Sequence, residues 1–199
     1  MTKSDNLILK FCYVECVNEN DPWICNIKNE LTALGLGYIF ESNLPLVHTF
    51  KIIEQRLKDV TKQNMLAKIA ASSKGRLYQY LIDSHCIQFY LRKSIESKYK
   101  CMLTKFRTSS HKLNIEMGRH NNIIRRNRNC SKCNLGDVED EFHFIFVCSF
   151  YNDLRLKYIK KYYYKSPSVY KLVQLLSVNN VKELSNLGKY LYLATKRRN

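Results

Sequence analysis

Three cysteines and one histidine between residues 130 and 148 have types and spacing that could do chemistry. The stretch reads C-S-K-C-N-L-G-D-V-E-D-E-F-H-F-I-F-V-C, that is Cys130-x2-Cys133, nine residues, then His143-x4-Cys148. A Cys-x2-Cys turn places two thiolates on one ion, and an imidazole and a third thiolate complete a tetrahedron. Zinc suits this set, because it has no redox chemistry and accepts sulfur and nitrogen together. The gap between the halves is short enough to close at small entropic cost. Asn134-Leu135-Gly136-Asp137 supplies the turn residues that the reversal requires. The competing reading is three buried cysteines and a hydrogen-bonded histidine. Four ligand types at metal-site spacing rarely coincide, which favours one structural zinc ion.

The elements that position this set must satisfy one geometric condition. His143 and Cys148 are five residues apart, about 140° around an ideal helix, so a straight helix points them away from each other. The helix is therefore expected to end or distort between them. Upstream, Ser94 is read as the cap of a helix with Ile95, Tyr99, Met102, Leu103 and Phe106 inward. Lys98, Lys105 and Arg107 then lie outward. Thr108 to Asn129 has few apolar anchors and a basic run at Arg125-Arg126-Asn127-Arg128, so it is expected to order only around a metal or partner. Downstream, one helix is expected from Phe150 to Tyr163 with Arg155 exposed. A second starts at Ser166-Pro167 and a third has Val181, Leu184, Leu187, Leu191 and Ala194 on one face. The run Lys160 to Lys165 admits base stacking with phosphate contact, or simply a helix end with solvated lysines.

The N-terminal half reads as helices too. A short helix is expected over residues 4–17. Asp21-Pro22 then gives an N-cap and a proline at N1 for a helix carrying Trp23, Ile24, Ile27, Leu31 and Leu34, ended by Gly35 and Gly37. Residues 38–48 read as a linker, and a long helix from Val47 to Ala71 turns Phe50, Ile53, Leu57 and Val60 inward. The fold class is mostly α, a helical domain with an embedded small zinc module whose ligands run Cys-Cys-His-Cys. Its divisions fall at a helical region 1–107, a basic segment with the zinc module 108–165, and a C-terminal helical pair 166–199.

Charge narrows the partner. The 199 residues carry a formal net charge of +16. Residues 1–91 contribute +1, residues 92–128 contribute +9 and residues 129–199 contribute +6. A cationic excess massed against a metal motif suits a polyphosphate, so RNA or DNA is the expected partner. Arg107, Arg119, Arg125, Arg126, Arg128 and Lys132 are the candidate phosphate contacts, arginine forks being well matched to phosphate oxygens. The longest apolar run, Phe142 to Tyr151, is about half of what a bilayer requires, and Lys10 interrupts the apolar N-terminal stretch early. Neither a membrane span nor a secretory leader is expected. Cys12, Cys16, Cys25, Cys86 and Cys101 are read as buried small hydrophobes in a reducing compartment, nuclear or cytoplasmic.

The metal motif, with Glu139-Asp140-Glu141 just before His143, resembles a zinc-binding region of non-LTR (LINE-type) retrotransposon reverse transcriptases, downstream of the polymerase. The retroviral zinc knuckle is less similar, its central gap being shorter. Leu103-Thr-Lys-Phe-Arg107, Glu116-Met-Gly-Arg119, Arg128-Asn-Cys130 and Tyr151-Asn-Asp-Leu-Arg155 extend the resemblance, and weaker similarity reaches Trp23 and Leu34-Gly-Leu-Gly37. It implies retroelement RNA or target DNA as ligand and a reverse transcriptase core as neighbour. Catalysis is not expected: no Asp-Asp pair is present, and after Cys148 only Asp153 and Glu183 are acidic. No small-molecule substrate is expected. The alternative is a docking remnant of a retroelement polyprotein with no nucleic-acid function of its own.

Overall fold

The computed structural model describes residues 12, 14–16, 18–19, 21–41, 46–74, 76–82 and 87–199. Contacts divide the chain into two compact units, Met1–Met65 and Leu66–Asn199. The helix expected over residues 4–17 lies largely outside the described residues, as do residues 42–45 of the expected linker and Cys86.

In the first unit, α1 (Pro22–Ala33) starts where the sequence places it: the Asp21 carboxylate accepts the Trp23 N–H at 2.8 Å, with Pro22 at N1. Gly35 then takes φ +72°, the left-handed conformation that reverses the chain. Gly37 opens α2 (Gly37–Glu41), a helix inside the expected linker. Leu31, Leu36 and Ile39 form a small core that Ile52 and Ile53 of α3 (Leu46–Ala71) complete. Arg56 donates to the Leu34 carbonyl at 2.7 Å, satisfying the end of α1. Trp23, Phe50 and Leu57, expected inward, are exposed. Of the residues expected inward on α3, Ile53 packs on this core beside Ile52, and Val60 is half-buried.

The second unit is built on one core that crosses both expected domain boundaries. A short helix α4 (Phe89–Arg92) leads to α5 (Ser97–Arg107), and α6 (Asn114–His120) precedes the Cys-rich stretch. After it come α7 (Asn152–Tyr158), α8 (Lys161–Tyr164), α9 (Val169–Leu176) and α10 (Val181–Arg198). Leu103 and Phe106 of α5, Phe144 and Ile145 of the metal stretch, and Leu187, Tyr190 and Leu191 of α10 are all buried together. The segment 108–165 is therefore not a separate basic appendage, because its aromatic residues supply the centre of the core. No strand is present among the described residues, only an isolated antiparallel bridge between Asn129 and Val138. No helix among them is long and apolar enough to cross a membrane.

Local chemistry sets the helix limits. Asn180 accepts the Glu183 N–H at 3.1 Å to open α10, whose last turn carries Lys196, Arg197 and Arg198 against its carbonyl end. Ser168 caps α9 in the same way. α5 begins at Ser97 rather than Ser94, with Ile95 already in the core. The expected helix from Phe150 to Tyr163 breaks at Ile159, where the chain turns extended and buries that side chain. Cys12, Cys16, Cys25 and Cys101 are not buried, contrary to expectation.

α10 crosses α5 at Gly188, where an added Cβ would stand 2.6 Å from the Tyr99 Cβ and 3.3 Å from its Cα. Alanine favours a helix by up to about 1 kcal/mol over glycine, but overpacking a helix crossing costs about 1–3 kcal/mol. Gly188→Ala is thus expected to destabilise the second unit by roughly 1–2 kcal/mol in urea denaturation. A stabilised variant would show that α5 and α10 are not in this close contact.

Candidate metal centre

The two halves of the motif arrive from different local structures. Cys130 and Cys133 sit on a tight hairpin, in which the Cys130 N–H donates to the Asp137 carbonyl at 2.8 Å and the Glu139 N–H to the Arg128 carbonyl at 2.9 Å. Gly136, at φ +72°, supplies the left-handed residue that closes the hairpin. The second half is a π-helical turn, His143–Val147, with the Cys148 N–H bonded to the His143 carbonyl at 2.8 Å. An i to i+5 turn carries five residues once around the axis, so His143 and Cys148 return to one side. This is the distortion that their spacing requires. Cys148 then leaves the helix at ψ 121°.

The four side chains converge. One ligand atom from each of Cys130, Cys133, His143 and Cys148 lies within 4.8 Å of every other. Cys130 and Cys148 hold their sulfurs 3.9 Å apart, and Cys133 Sγ is 3.3 Å from His143 Nε2. Sulfurs about 2.3 Å and a nitrogen about 2.0 Å from a tetrahedral centre stand roughly 3.5–3.8 Å from one another. The cluster is therefore near the size of a tetrahedral metal site and far too open for a disulfide, whose sulfurs are about 2.05 Å apart. Cys130, His143 and Cys148 are buried and Cys133 is half-buried.

Burial pushes the Cys148 thiol up to about 12 and raises that of Cys130, against which the Lys132 N–H donates to Cys130 Sγ at 3.4 Å. Burial also lowers His143, although Asp137, Asp140 and Glu139 oppose it, so its imidazole is neutral and able to ligate at neutral pH. With Nε2 facing the thiols, His143 Nδ1 is buried and has no hydrogen bond, and the nearest acid, the Asp137 carboxylate, is 3.6 Å away. A carboxylate behind the second ring nitrogen is the arrangement that fixes a metal-bound imidazole in one tautomer. The donor set thus fits a soft or borderline cation that needs no open position.

Several residues missed by the sequence reading hold the site. Arg155, expected exposed, is 4% exposed and donates to the Ile145 carbonyl at 2.8 Å and the Cys148 carbonyl at 2.6 Å. Those carbonyls lie at the end of the π turn, where regular helix bonding stops, and the guanidinium replaces it. Glu139 is fully buried and takes both forks of Arg198 at 2.7 Å, together with the Asn114 N–H at 2.8 Å. Tyr190 donates to the Phe144 carbonyl at 2.6 Å. In the sequence Glu139 stands in the acidic run before His143 and Arg155 in the motif that opens at Tyr151, but neither stretch names a partner, and both arginines read equally well as solvated.

The cationic residues separate into two groups. Arg107 lies inside the fold, where it donates to the Leu176 carbonyl, to the Leu81 carbonyl at 3.2 Å and to Gln88 Oε1 at 2.9 Å, over the Tyr90 ring. The expected outward position is corrected accordingly: α5 ends against α9, and the guanidinium ties the two. Arg128 donates to the Ile123 and Ile115 carbonyls at 2.8 and 2.7 Å. Arg119 is held on Glu116 at 2.9 Å. Arg125 is more than half exposed and 3.4 Å from Asp140, Arg126 is exposed, and Lys132 is half-buried.

The segment Thr108 to Asn129 is ordered by more than the expected metal or partner. His111 meets Glu141 at 2.9 Å, Ser109 donates to the same oxygen at 2.7 Å, and Leu113 and Ile115 enter the core. Burial works to raise the Glu141 carboxyl, but the bonds from His111 and Ser109 outweigh it and hold the group below the usual 4.5. A depressed carboxylate contributes stability that is complete above the unfolded value and lost as pH falls through the folded one. The melting temperature is therefore expected to drop between pH 5 and lower values more steeply in the parent chain than in Glu141→Gln. Parallel pH curves would remove Glu141 from the account.

Together the geometry defines a helical protein with an embedded cluster of three cysteines and one histidine that could hold a metal ion. Set beside protein-family models, curated proteins and solved structures, the chain matches none of them.

Proposed function

We propose that the chain is a zinc-dependent module that binds RNA or single-stranded DNA and has no catalytic activity of its own. The observation that carries this reading is the convergence of Cys130, Cys133, His143 and Cys148 within 4.8 Å, directly after the most cationic part of the sequence. Three sulfurs and one nitrogen favour zinc over harder cations, which prefer oxygen. When bound, the ion supplies a fixed structural crosslink; four protein ligands leave no position for an activated water. Cys130, Cys133 and Cys148 hold it as thiolates, and His143 holds it through Nε2, oriented by Asp137. Phosphate contact falls to Arg125, Arg126 and Lys132, since Arg107, Arg119 and Arg128 have partners within the fold. The resemblance to the region downstream of the polymerase in LINE-type reverse transcriptases supports retroelement RNA or its target DNA as the natural ligand.

The test is salt dependence. Fluorescence anisotropy with a labelled single strand is expected to show log K falling against log salt with a slope of about −2 or steeper, as for three or more neutralised phosphates. The metal-stripped protein should bind more weakly. A slope near zero, or tight capture of a polymerase fragment with indifference to RNA, would replace this reading with that of a docking remnant.

A further inference from the structure

One cleft in the second unit combines features that the exposed arginines alone do not. It encloses about 630 Å³ between residues 70–74, Arg76, Leu77 and Tyr80, α6, the stretch from Asp140 to Phe142, and α9. Leu77, Ile115, Phe142 and Leu172 make its walls largely apolar. The Phe142 ring is held edge-on by Phe146 at 5.7 Å. Lys74, Arg76 and Arg125 also line it, Arg76 and Arg125 exposed and Lys74 half-buried.

The charges in the cleft are unequally satisfied. Glu116 is engaged by Arg119 at 2.9 Å, Asp140 accepts the His143 N–H at 3.0 Å, and Glu141 is engaged by His111 and Ser109. Each acid thus has an internal partner. The side-chain ends of Lys74 and Arg76 have none among the described residues, and Arg125 reaches Asp140 only at 3.4 Å. The result is an apolar, aromatic wall beside two cations, Lys74 and Arg76, whose side-chain ends have no partner among the described residues. A fully polar polyanion would leave the apolar walls unused, and a purely apolar ligand would leave the cations unused. A nucleotide unit uses both, with its base on the wall and its phosphate on the cations.

Resting on the nucleic-acid reading above, we propose that this cleft is where a single strand is held, with an unstacked base against Phe142 and the flanking phosphates on Lys74, Arg76 and Arg125. A paired base would first have to leave its stack, so the cleft discriminates against duplex. The metal stretch acts here as one wall, since Phe142 immediately precedes the ligand His143.

The experiment uses the full chain loaded with zinc and a short single-stranded oligonucleotide carrying one 2-aminopurine, read by anisotropy and by base fluorescence. Lys74→Glu with Arg76→Glu should weaken binding at least about tenfold and flatten the salt slope by about 2, leaving metal content and melting unchanged. Phe142→Leu, which keeps an apolar wall, should abolish the 2-aminopurine response while retaining most of the anisotropy change. Duplex of the same sequence should compete at least about tenfold less well than single strand. Binding that survives the double charge reversal, or a base response unaltered in Phe142→Leu, overturns the cleft while leaving the broader function standing. Equal competition by AMP at the same concentration overturns it in favour of a free-nucleotide site, and by polyglutamate in favour of an acidic protein partner. If the parent chain binds no oligonucleotide, the proposed function fails and the cleft falls with it.

Discussion

Stripping the metal from the purified chain with a chelator is expected to unfold the stretch from Arg128 to Tyr151 and to lower the melting temperature by at least about 10 °C. Structural zinc contributes roughly 10–16 kcal/mol of folding free energy in small peptides, and each kcal/mol shifts a unit of this size by several degrees. Backbone pairing in the hairpin is slight, one isolated bridge and a glycine turn, and its other anchors gather at Asn129 and Glu139 rather than at the cysteines. Without an ion the fold must also bury two thiols and half-bury a third. The core feels the loss directly, because Phe144 and Ile145 lie between His143 and Cys148 and are both fully buried against α5 and α10. Cobalt substitution checks ligand identity. The folded cobalt form should show thiolate charge transfer and a tetrahedral visible spectrum, both altered by Cys133→Ser. A folded preparation with no stoichiometric metal, or a spectrum indifferent to that substitution, would overturn the site.

Arg198→Ala should cost about 3–5 kcal/mol, the penalty for leaving a buried charge without its partner. Glu139 is fully buried, and both oxygens rest on the Arg198 fork, which also donates to Asn114 at 3.1 Å. The bond to Glu139 correspondingly raises the Arg198 guanidinium above its ordinary value. The effect reaches the metal hairpin, since the Glu139 backbone N–H closes it and its carbonyl accepts from Ile115 at 3.1 Å. The paired replacement Glu139→Leu with Arg198→Met removes both charges together and should recover most of the loss. Urea unfolding of the four proteins forms the double-mutant cycle. A single-variant loss below about 1 kcal/mol would mean that the pair is solvated, as surface pairs are.

What each level of description contributed can be seen in particular residues. The Cys130-to-Cys148 spacing is a local code: side-chain type and separation along one short segment decide whether four donors can meet, and the angle between His143 and Cys148 on a helix foretells a distortion before any coordinates exist. The same holds for Asp21-Pro22, whose capping bond spans two residues. The fates of Arg107, Arg155 and Arg198 could not be read this way. Their partners stand 69, 10 and 59 positions away, and a guanidinium on a helix looks alike whether it faces water or a carbonyl brought in by another helix. Phe50 and Trp23 make the complementary point, since apolar periodicity gives a face, and only packing decides whether that face is covered.

The amino-acid sequence by itself determined the helical class, the four convergent donors and the cationic bias, because each depends on composition or on spacing within a few turns of chain. Packing in three dimensions settled that the cationic segment carries the centre of the core, which of its arginines are tied to internal carbonyls and carboxylates, and that Lys74, Arg76 and Phe142 line one cleft. Those outcomes depend on which distant backbone carbonyls and carboxylates are left without water, and burial of that kind exists only once α5, α9 and α10 have packed.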